Sequence, residues 1–534
     1  MADADDSPLP TGRYRQFRAP QDDNRALIDP PVATLLSLAG ENARRVLQSS
    51  CELHGRKLSQ LASVTRQRLL DLATHYSQAF CQPAPTATGP LILSGHQPEL
   101  FHPGVWFKNH VLDTLAKRAG GTGIHLLIDS DLCRTTRLRV PTGTVASPRW
   151  ETVAYDQSQS ERPHEERQVH DTELFSSSAN RVVAKLGGLV EKPLIASMWT
   201  DAVEARHRGA NLGESLSHAR RVVEGRWGSQ TLELPFSRLC DSPEFRWCLV
   251  SLLADLPRVQ QAYNTALADY RAAHRLRSPA QPLPDLASDK DWLEAPLWVW
   301  STDDPTRRAL SCRRTNGELL LSNRAGGEWR LPIASNDSIL DAVDRMGALR
   351  DQGIKIRPRA LITTLFARLL LGDLFLHGIG GAKYDQVTDE FARRWLGEPP
   401  PPHATVTATL QLPIEHPPVS HAQQTDLRVQ LRELEFHPEK FPEAQTAAAE
   451  RLRRQKQSAI SAPSLSPSEK HRQIVTANRA LQAFVEPRRQ AALADLAAVR
   501  SQLQASTVLD SREYSFCLFP AEDLRSRYAT LLEN

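Results

Sequence analysis

The chain has 534 residues, which is too long for one ordinary hydrophobic core and predicts about two to four structural units. Its 65 basic and 62 acidic residues leave a net charge of +3, and this balance argues against a general nucleic-acid binder, which concentrates positive charge on one face. The 7 cysteines are scattered and form no CxxC pair, so neither a disulfide framework nor a thiolate zinc site of the usual spacing is expected.

The N-terminal stretch MADADDSPLPTGRYRQF is acidic and lacks the apolar segment of a secretory signal. No apolar run in the sequence approaches the roughly 18 residues of a membrane-spanning helix. Scattered cysteines fit a reducing compartment. We therefore predict a cytoplasmic protein that contacts neither membrane nor nucleic acid.

The first part of the chain predicts a helical lead-in followed by a parallel strand unit. Residues 1–88 form the lead-in, with apolar residues at helical spacing between 32 and 80 and a proline- and glycine-rich connector at 81–90. Residues 89–136 contain a buried strand (LILSG), a helix at 105–119 and a second strand (IHLLIDSD). A helix of this length between two strands indicates a parallel βαβ unit, the first half of a core.

The middle of the chain predicts an insertion and then the second half of the core. Residues 137–292 form the mainly helical insertion, which begins with a weakly patterned segment and contains a helix at 249–273. Residues 293–421 are strand-rich at first, with an Asn-Gly hairpin signal, and continue as a helix at 358–373. A strand, a glycine turn and a helix follow at 373–397, and another strand at 403–413.

The C-terminal part predicts a helical arm and a docking tail. Residues 422–506 are rich in Ala, Gln, Arg, Glu and Leu, and we expect a helical hairpin or short antiparallel coiled coil that mediates a homodimer. The expected helix breaks are at the prolines Pro438, Pro442, Pro463, Pro467 and Pro487. Residues 507–534 carry aromatic side chains and are expected to dock on the core. The fold class is therefore α/β, with a Rossmann-like parallel-sheet core, helical and mixed insertions and this arm.

The stretch SGHQPELFHPGVWFKN (94–109) leaves the first strand through a turn suited to a ligand. In an open parallel sheet, ligands bind beyond the carboxyl ends of the strands. Gly95 can take backbone angles closed to other residues, and Gly104 begins a helix whose free N–H groups favour anions. His96 and His102 could donate hydrogen bonds or transfer a proton, and Lys108 could reach the same anion.

A second stretch, HGIGGAKYDQ (377–386), repeats this pattern. Gly380 and Gly381 would clear space for a ligand, and Lys383 supplies a point charge suited to phosphate. Asp385 would lie in the first turn of the following helix, where an acid favours the helix dipole. Both stretches also have a plainer interpretation, in which the glycines serve only tight strand–helix turns. Neither is a Walker A or GxGxxG motif, so no P-loop is predicted.

Acidic residues end the second strand. Asp129 and Asp131 are placed where a carboxylate commonly meets a ribose hydroxyl, although a helix cap or a solvated loop fits as well. Together with His96 and His102, these two aspartates could hold zinc or manganese. The HExxH spacing is missing, however, and we predict no metal. Cys133 has no activating neighbour in sequence, so a nucleophilic role is not predicted for it. The chain also lacks a GxSxG elbow, which argues against an ordinary serine hydrolase.

The SGHQPELFHPGVWFKN stretch resembles the glycine–glutamine–glutamine–proline turn of the bacillithiol synthase family, the cysteine-adding enzymes of bacillithiol biosynthesis. The order of parts is similar as well, with a core akin to class I aminoacyl-tRNA synthetases, a late glycine-rich stretch and a C-terminal coiled coil. This chain departs from the family pattern at His96, at LFHPG and at HGIGGAKYD. The resemblance implies Gly95, Gln97, Gly104, Gly380 and Gly381 as site-forming positions.

The resemblance implies a ligase that joins cysteine or a similar amino-acid nucleophile to an amino-sugar-type acceptor, with ATP or ADP as a possible ligand. In that mechanism His96, His102 and Lys383 are the catalytic candidates. One alternative is a nucleotidyl-transfer or adenylate-forming enzyme. Another is a non-catalytic dimeric ligand-binding protein, because no complete catalytic motif is present.

Overall fold

A computed structural model describes residues 15–78, 89–278, 280–333 and 338–533. The predicted connector at 81–90 lies outside the described residues except for its last two positions. Within the described ranges, no helix is both long and apolar enough to cross a membrane.

The helices of the first half of the chain are α1 (Val32–Gln48), α2 (Leu58–Gln78), α3 (Pro103–Arg118), α4 (Thr172–Ser176), α5 (Ser178–Leu186), α6 (Ile195–His207), α7 (Leu212–Arg226), α8 (Phe236–Cys240), α9 (Pro243–Ala254) and α10 (Leu256–His274). Those of the second half are α11 (Ser338–Asp351), α12 (Ala360–Phe366), α13 (Ile379–Leu396), α14 (His421–Phe436), α15 (Ala447–Ser461), α16 (Pro467–Leu509) and α17 (Ala521–Glu533). A short π-helix, Ala367–Leu371, continues α12.

The strands of the first half are β1 (Arg25–Asp29), β2 (Glu52–Leu53), β3 (Arg56–Lys57), β4 (Leu91–His96), β5 (Thr122–Leu127), β6 (Leu132–Cys133), β7 (Arg137–Thr144), β8 (Ser147–Ala154), β9 (Arg162–Pro163) and β10 (Leu232–Pro235). Those of the second half are β11 (Ser288–Asp289), β12 (Trp292–Ser301), β13 (Arg308–Thr315), β14 (Glu318–Ser322), β15 (Glu328–Pro332), β16 (Ile354–Pro358), β17 (Leu374–His377) and β18 (Ala404–Thr409).

The central sheet has six strands in the order β1-β18-β17-β4-β5-β10. Strand β1 is antiparallel to β18, and the other neighbours are parallel. Numbered in chain order, the five parallel strands lie in the spatial order 3-2-1-4-5. The strand order therefore reverses between β4 and β17. The fold is mixed α/β with a largely parallel sheet, as the sequence predicts.

Both faces of this sheet are buried. Successive residues of β4 alternate between two hydrophobic cores, with Ile92 in one and Leu93 in the other. The same alternation separates Leu374 from Phe375 in β17. A parallel sheet covered on both faces needs continuous apolar strands, and this explains why the predicted strand LILSG is buried from Leu91 to Ser94.

The interval 137–292, predicted to be a mainly helical insertion, contains a strand of the central sheet. Strand β10 pairs with β5 in parallel, so this interval contributes the third parallel strand. Its four residues, LELP, give too short a signal between two helices to be recognised. The weakly patterned segment at its start forms the hairpin β7–β8. The helix predicted at 249–273 is two helices, because Asp255 separates α9 from α10.

A second, antiparallel sheet contains β11 to β15 in order, with β16 added to β12. The predicted Asn-Gly hairpin is confirmed between β13 and β14, where Asn316 and Gly317 both have positive φ angles, 44° and 83°. Two consecutive positive φ angles are what a two-residue hairpin turn requires.

The arm region consists of α14 and α15, which both pack against α16. Their shared apolar cluster includes Leu434 from α14, Ala449 from α15 and Leu481 from α16. The break predicted at Pro487 is wrong, because this residue lies inside the 43-residue helix α16. After the arm, Phe516 donates its N–H to the carbonyl oxygen of Phe101 at 2.9 Å, so the tail lies against the turn that precedes α3.

Candidate functional site

The reversal of strand order places two strand ends side by side. Strand β4 ends at His96 and leads through the Gly-His-Gln-Pro turn to α3, whereas β17 ends at His377 and leads at once into α13. The loop after β5 lies on the other side of β4. We call the ends of β4, β5 and β17, with the residues that follow each, the carboxyl edge.

A buried lysine, Lys108, holds the turn after β4 in place. The Lys108 ammonium donates to the carbonyl oxygen of Gly95 at 2.6 Å. Burial, reinforced by the charge of Arg220, lowers the pKa of Lys108 to about 7. Lys108 therefore stabilises the turn from inside, and its nitrogen is already committed to a backbone carbonyl instead of reaching outward to an anion.

The imidazole of His96 is neutral at physiological pH. Burial and the nearby Lys108 lower the pKa of His96 to about 3. Its Nδ1 lies 3.1 Å from the carbonyl oxygen of Gln97, and its ring packs edge-on against Phe101 with 4.8 Å between centroids. His96 can thus exchange hydrogen bonds with a ligand but does not bring a positive charge to it.

His102 precedes α3 at the cap position and makes no side-chain capping bond. Burial lowers the pKa of His102, and Glu513 and Arg512 of the tail act on it in opposite directions. This histidine therefore lies towards the C-terminal tail. Gly104 is the second residue of α3, and a Cβ there would approach the carbonyl oxygen of Ala408 to 1.9 Å. The absence of a side chain at Gly104 allows α3 to pack closely on β18, which is a packing function.

Two residues predicted for the site meet each other at the carboxyl edge. The Gln97 amide donates to Asp131 Oδ2 at 2.7 Å, and Arg307 Nη1 lies 3.0 Å from Asp131 Oδ1. The Arg307 guanidinium stacks over Trp298 at 4.5 Å, and Arg359 lies over the same ring at 4.0 Å. These contacts bring polar and cationic groups of the second sheet to the carboxyl edge of the central sheet.

Asp129 faces a different partner from Asp131. Its carboxylate accepts hydrogen bonds from the backbone N–H and the hydroxyl group of Ser237. Burial and the nearby Glu165 carboxylate raise the pKa of Asp129 to about 7. Asp129 therefore changes its charge near neutral pH, a property that general acids and bases share.

The second predicted glycine turn is wrong, because α13 begins at Ile379 and includes Gly380 and Gly381. A Cβ at Gly380 would meet nothing within 4 Å, whereas one at Gly381 would lie 2.5 Å from His377 Nδ1. Gly380 thus leaves open space at the helix start, and Gly381 makes room for the His377 ring. Lys383 lies on the exposed side of the helix.

The placement predicted for Asp385 is also wrong, since the first turn of α13 carries no acidic residue. Asp385 is buried, and its Oδ2 lies 2.7 Å from His377 Nε2 and 2.8 Å from Arg368 Nη1. Burial would raise the pKa of Asp385, but the His377 and Arg368 charges outweigh it and hold this pKa well below its usual range. Asp385 thus acts within the core, where it joins α13 to β17.

His377, Asp385 and His403 have ligand atoms within 4.8 Å of one another. This donor set suits a transition metal in principle. However, the guanidinium of Arg368 already bonds the same carboxylate oxygen that both histidines approach, and a cation would have to displace it. We interpret this group as a buried polar network that fixes β17, α13 and the start of β18.

Sequence reasoning missed several members of the carboxyl edge. Arg307 and Trp298 come from the second sheet, Ser237 follows β10, and His164 lies in a short 3-10 turn. Arg307 is 176 positions from Asp131, Ser237 is 108 positions from Asp129 and His164 is 65 positions from Glu99, and no local motif marks these pairs. The segment 292–314 is rich in Trp and Arg, but this composition is equally typical of an ordinary strand region and does not indicate a site.

No protein-family model matches the chain, and a search of curated proteins likewise finds no match.

Replacing Asp129 with asparagine tests the charge state of this buried carboxyl. The pKa of about 7 in the folded chain lies above the ordinary value of 3.8, so the folded state binds the additional proton between these pH values. Wild type should therefore lose stability as the pH rises from about 4 to about 7, whereas Asp129→Asn should not. Relative to wild type, the variant should gain roughly 2–4 kcal/mol of unfolding free energy over this interval and nothing further above it.

Urea unfolding of both proteins at a series of pH values measures this difference. Asp131→Asn removes a carboxylate of the same loop whose side chain is 39% exposed and pairs with Arg307, and it is the comparison variant. A difference between Asp129→Asn and wild type that does not change with pH would contradict the account.

Proposed function

We propose that the chain is a ligase of the bacillithiol synthase type, built on a Rossmann-like core, that joins cysteine or a similar amino acid to an amino-sugar acceptor. The observation that carries this proposal is the 3-2-1-4-5 order of the parallel strands, with its reversal between β4 and β17. In open α/β sheets of this order, ligands bind where the order reverses. The motif that resembles the family, Ser94–Asn109, begins at this same place.

The chemistry of the carboxyl edge supports an anionic substrate. The free N–H groups at the start of α13 favour negative charge, and Gly378 and Gly380 leave open space beside them. Lys383, exposed one turn further on, would neutralise a phosphate or carboxylate. Arg307 adds a guanidinium that could exchange its Asp131 partner for a ligand carboxylate.

In the proposed reaction, His96 and His102 are the candidates for proton transfer. Amide formation requires the attacking amine to lose a proton as it bonds to the acyl carbon. The neutral imidazole of His96 could accept it, although its low pKa makes it a weak base. His102, whose pKa burial also lowers, is the second candidate.

Joining a carboxylate to an amine releases water and is unfavourable without activation, so we propose ATP as the co-substrate. Cleavage to ADP and phosphate would indicate an acyl-phosphate route, and cleavage to AMP and pyrophosphate would indicate the adenylate-forming alternative. The binding site for the nucleotide would be the same carboxyl edge.

The ligation reaction can be measured directly by mass spectrometry. Purified protein incubated with cysteine, a malate-bearing amino sugar and ATP should form the amide product. Arg307→Ala should lower kcat/KM about tenfold to a hundredfold, because a charge-assisted bond to the substrate is lost.

Arg324→Ala is the matched control for this experiment. Arg324 also pairs with an aspartate and stacks on a tryptophan, Asp289 at 2.6 Å and Trp292 at 5.0 Å, but neither partner belongs to the carboxyl edge. Its activity should remain at the wild-type level. Absence of product from wild type, or equal losses in both variants, would contradict the proposal.

We further propose that α14, α15 and α16 form a coiled-coil-like arm through which two copies of the chain associate. Five of the eleven large apolar side chains that are exposed in the described residues belong to these helices: Val429, Phe436, Ile460, Val475 and Leu493. Exposed apolar groups concentrated in one element are typical of an interaction surface. The alternative function, a non-catalytic dimeric binding protein, rests on the same observation.

Sedimentation velocity tests the arm in the full-length chain. Wild type should sediment as a dimer, and Phe436→Glu should shift it towards monomer by placing a charge in the interface. Leu340→Glu is the control, since Leu340 is similarly exposed at 54% against 50% for Phe436 but lies on α11. A monomeric wild type, or a dimer unaffected by Phe436→Glu, would be inconsistent with the arm as the dimerisation element.

A further inference from the structure

Positive charge is concentrated in one part of the arm. Residues 447–480, which comprise α15, the turn after it and the first third of α16, carry 7 basic and 2 acidic residues, a net charge of +5. Subtracting these from the 65 basic and 62 acidic residues of the chain leaves 58 and 60, a net charge of −2 for the remainder. The balanced total, from which we predicted no nucleic-acid partner, therefore hides an uneven distribution. We call residues 447–480 the basic hairpin.

An open groove lies along the basic hairpin. Its two helices are joined by the turn 462–466 and share an apolar cluster that includes Ala449, Leu452 and Leu481. The groove between the helices has a volume of about 950 Å³. This volume is at the upper end of those of ligand sites, and the side chains that line the groove indicate the chemistry of the ligand.

Three arginines line the groove, Arg451, Arg454 and Arg472. Arg451 and Arg472 are exposed, and neither has an acidic partner within the described ranges. Arg454 bonds Glu450 at 2.8 Å, and Arg453 lies 3.1 Å from the other oxygen of this carboxylate. Glu450 is the one acid among the described residues that line the groove, and its charge is already balanced. The groove is therefore cationic and suits a polyanion.

Amide and hydroxyl side chains complete the polar lining, which includes Gln455, Gln473, Ser458 and Thr476. Arginine, glutamine, serine and threonine are side chains that commonly contact phosphate and sugar in complexes with nucleic acids. Amides and hydroxyls both donate and accept hydrogen bonds, as the 2′-hydroxyl of RNA does. This lining thus matches the sugar–phosphate backbone of a nucleic acid.

Other polyanions fit the groove less well. Leu452 is the only large apolar residue among the described residues that line it, and none of them is aromatic. An acidic amphipathic helix binds through its apolar face and needs a hydrophobic groove. A single strand of nucleic acid stacks its bases on aromatic side chains. A duplex needs neither, because its phosphates and sugars form its outer surface.

The width of the hairpin favours RNA over DNA. Two packed helices are about 20 Å across, because each is about 10–12 Å in diameter and their axes lie about 8–10 Å apart. The major groove of B-DNA is about 12 Å wide and admits one helix. The A-form duplex of RNA has instead a wide, shallow minor groove that displays 2′-hydroxyl groups, where shape and backbone contacts determine binding.

We propose that the basic hairpin binds double-stranded RNA across its minor groove. Arg451 and Arg472 each neutralise one phosphate, and the amides of Gln455 and Gln473 contact 2′-hydroxyl groups. Because these are contacts to the backbone, the hairpin recognises the shape of the duplex and not its base sequence. This proposal does not depend on whether the protein is a ligase.

Fluorescence anisotropy with a labelled RNA duplex of about 20 base pairs measures binding to the full-length protein. Between about 50 and 200 mM salt, the Kd of wild type should rise about tenfold to a hundredfold, as two to four neutralised phosphates require. Arg451→Gln and Arg472→Gln should each weaken binding about threefold to tenfold. Each should also lower the slope of log Kd against log salt concentration by about 1, because one phosphate contact is lost.

Arg428→Gln is the matched control, because it removes the same charge from the same arm. Arg428 is exposed and has no acidic partner within the described ranges, but it lies on α14, outside the basic hairpin. Its Kd and salt slope should equal those of wild type. Sedimentation velocity of the three variants should also match wild type, so that a loss of RNA binding is not caused by a change in association.

Two competitors distinguish RNA from other polyanions. A DNA duplex of the same sequence should bind about fivefold more weakly, since it lacks the 2′-hydroxyl groups. Polyglutamate at an equal concentration of charge should not displace the RNA. The proposal is overturned if wild type does not bind the RNA duplex, if Arg428→Gln weakens binding as much as the hairpin variants, or if these variants lose binding only together with a changed sedimentation coefficient. Equal affinity for the DNA duplex, or displacement by polyglutamate, would also overturn it.

Discussion

A parallel sheet that is covered on both faces can expose reactive side chains to a ligand only at the ends of its strands. The central sheet of this chain obeys this constraint, since the alternating residues of β4 and β17 are divided between two hydrophobic cores. Every unusual residue of the two glycine-containing stretches lies at or beyond a carboxyl end. The Gly-His-Gln-Pro turn lies at the carboxyl edge, beyond the two covered faces of the sheet.

Buried charges hold the surrounding elements at this edge. Arg357 of the second sheet bonds both carboxylate oxygens of Glu165 at 2.9 Å and Asp241 Oδ1 at 2.8 Å. The backbone N–H of Glu165 donates to the backbone carbonyl oxygen of Asp129 at 2.8 Å. Removing one partner of such a buried group costs about 3–5 kcal/mol, because the other is left unpaired. The second sheet is thus fixed over the ends of β4 and β5, and this arrangement gives Arg307 its position beside Asp131.

The elements with strong local patterns could be predicted from the sequence. Hydrophobic patterning indicates both the strand at LILSG and the helix that follows it. The Asn-Gly pair indicates the hairpin, because few other turns favour these two residues. Strand β10 could not, because LELP is short and its membership of the sheet depends on pairing with β5, over 100 residues earlier. Pro487 was misassigned as a helix break, although packing of α14 and α15 against α16 supports the helix on either side of it.

For the site, sequence proximity was a partial guide. The strand end pointed to Asp131 and the family resemblance to Gln97, and these two side chains meet. The position of Lys108 in the chain suggested an outward role, which is wrong because the buried ammonium bonds the carbonyl oxygen of Gly95. Gly104 and Gly381 turned out to make room for Ala408 and His377. The partners of Asp129, which are Ser237 and Glu165, come from distant segments, and no local spacing encodes such contacts.

The central claim is that substrate binds where the strand order reverses. Hydrogen–deuterium exchange with and without a saturating malate-bearing amino sugar tests this claim at the level of peptides. The account predicts slower exchange in peptides that cover 95–105 and 377–383, with little change in the arm at 421–509. Protection confined to the arm, or to the second sheet without these two segments, would contradict it.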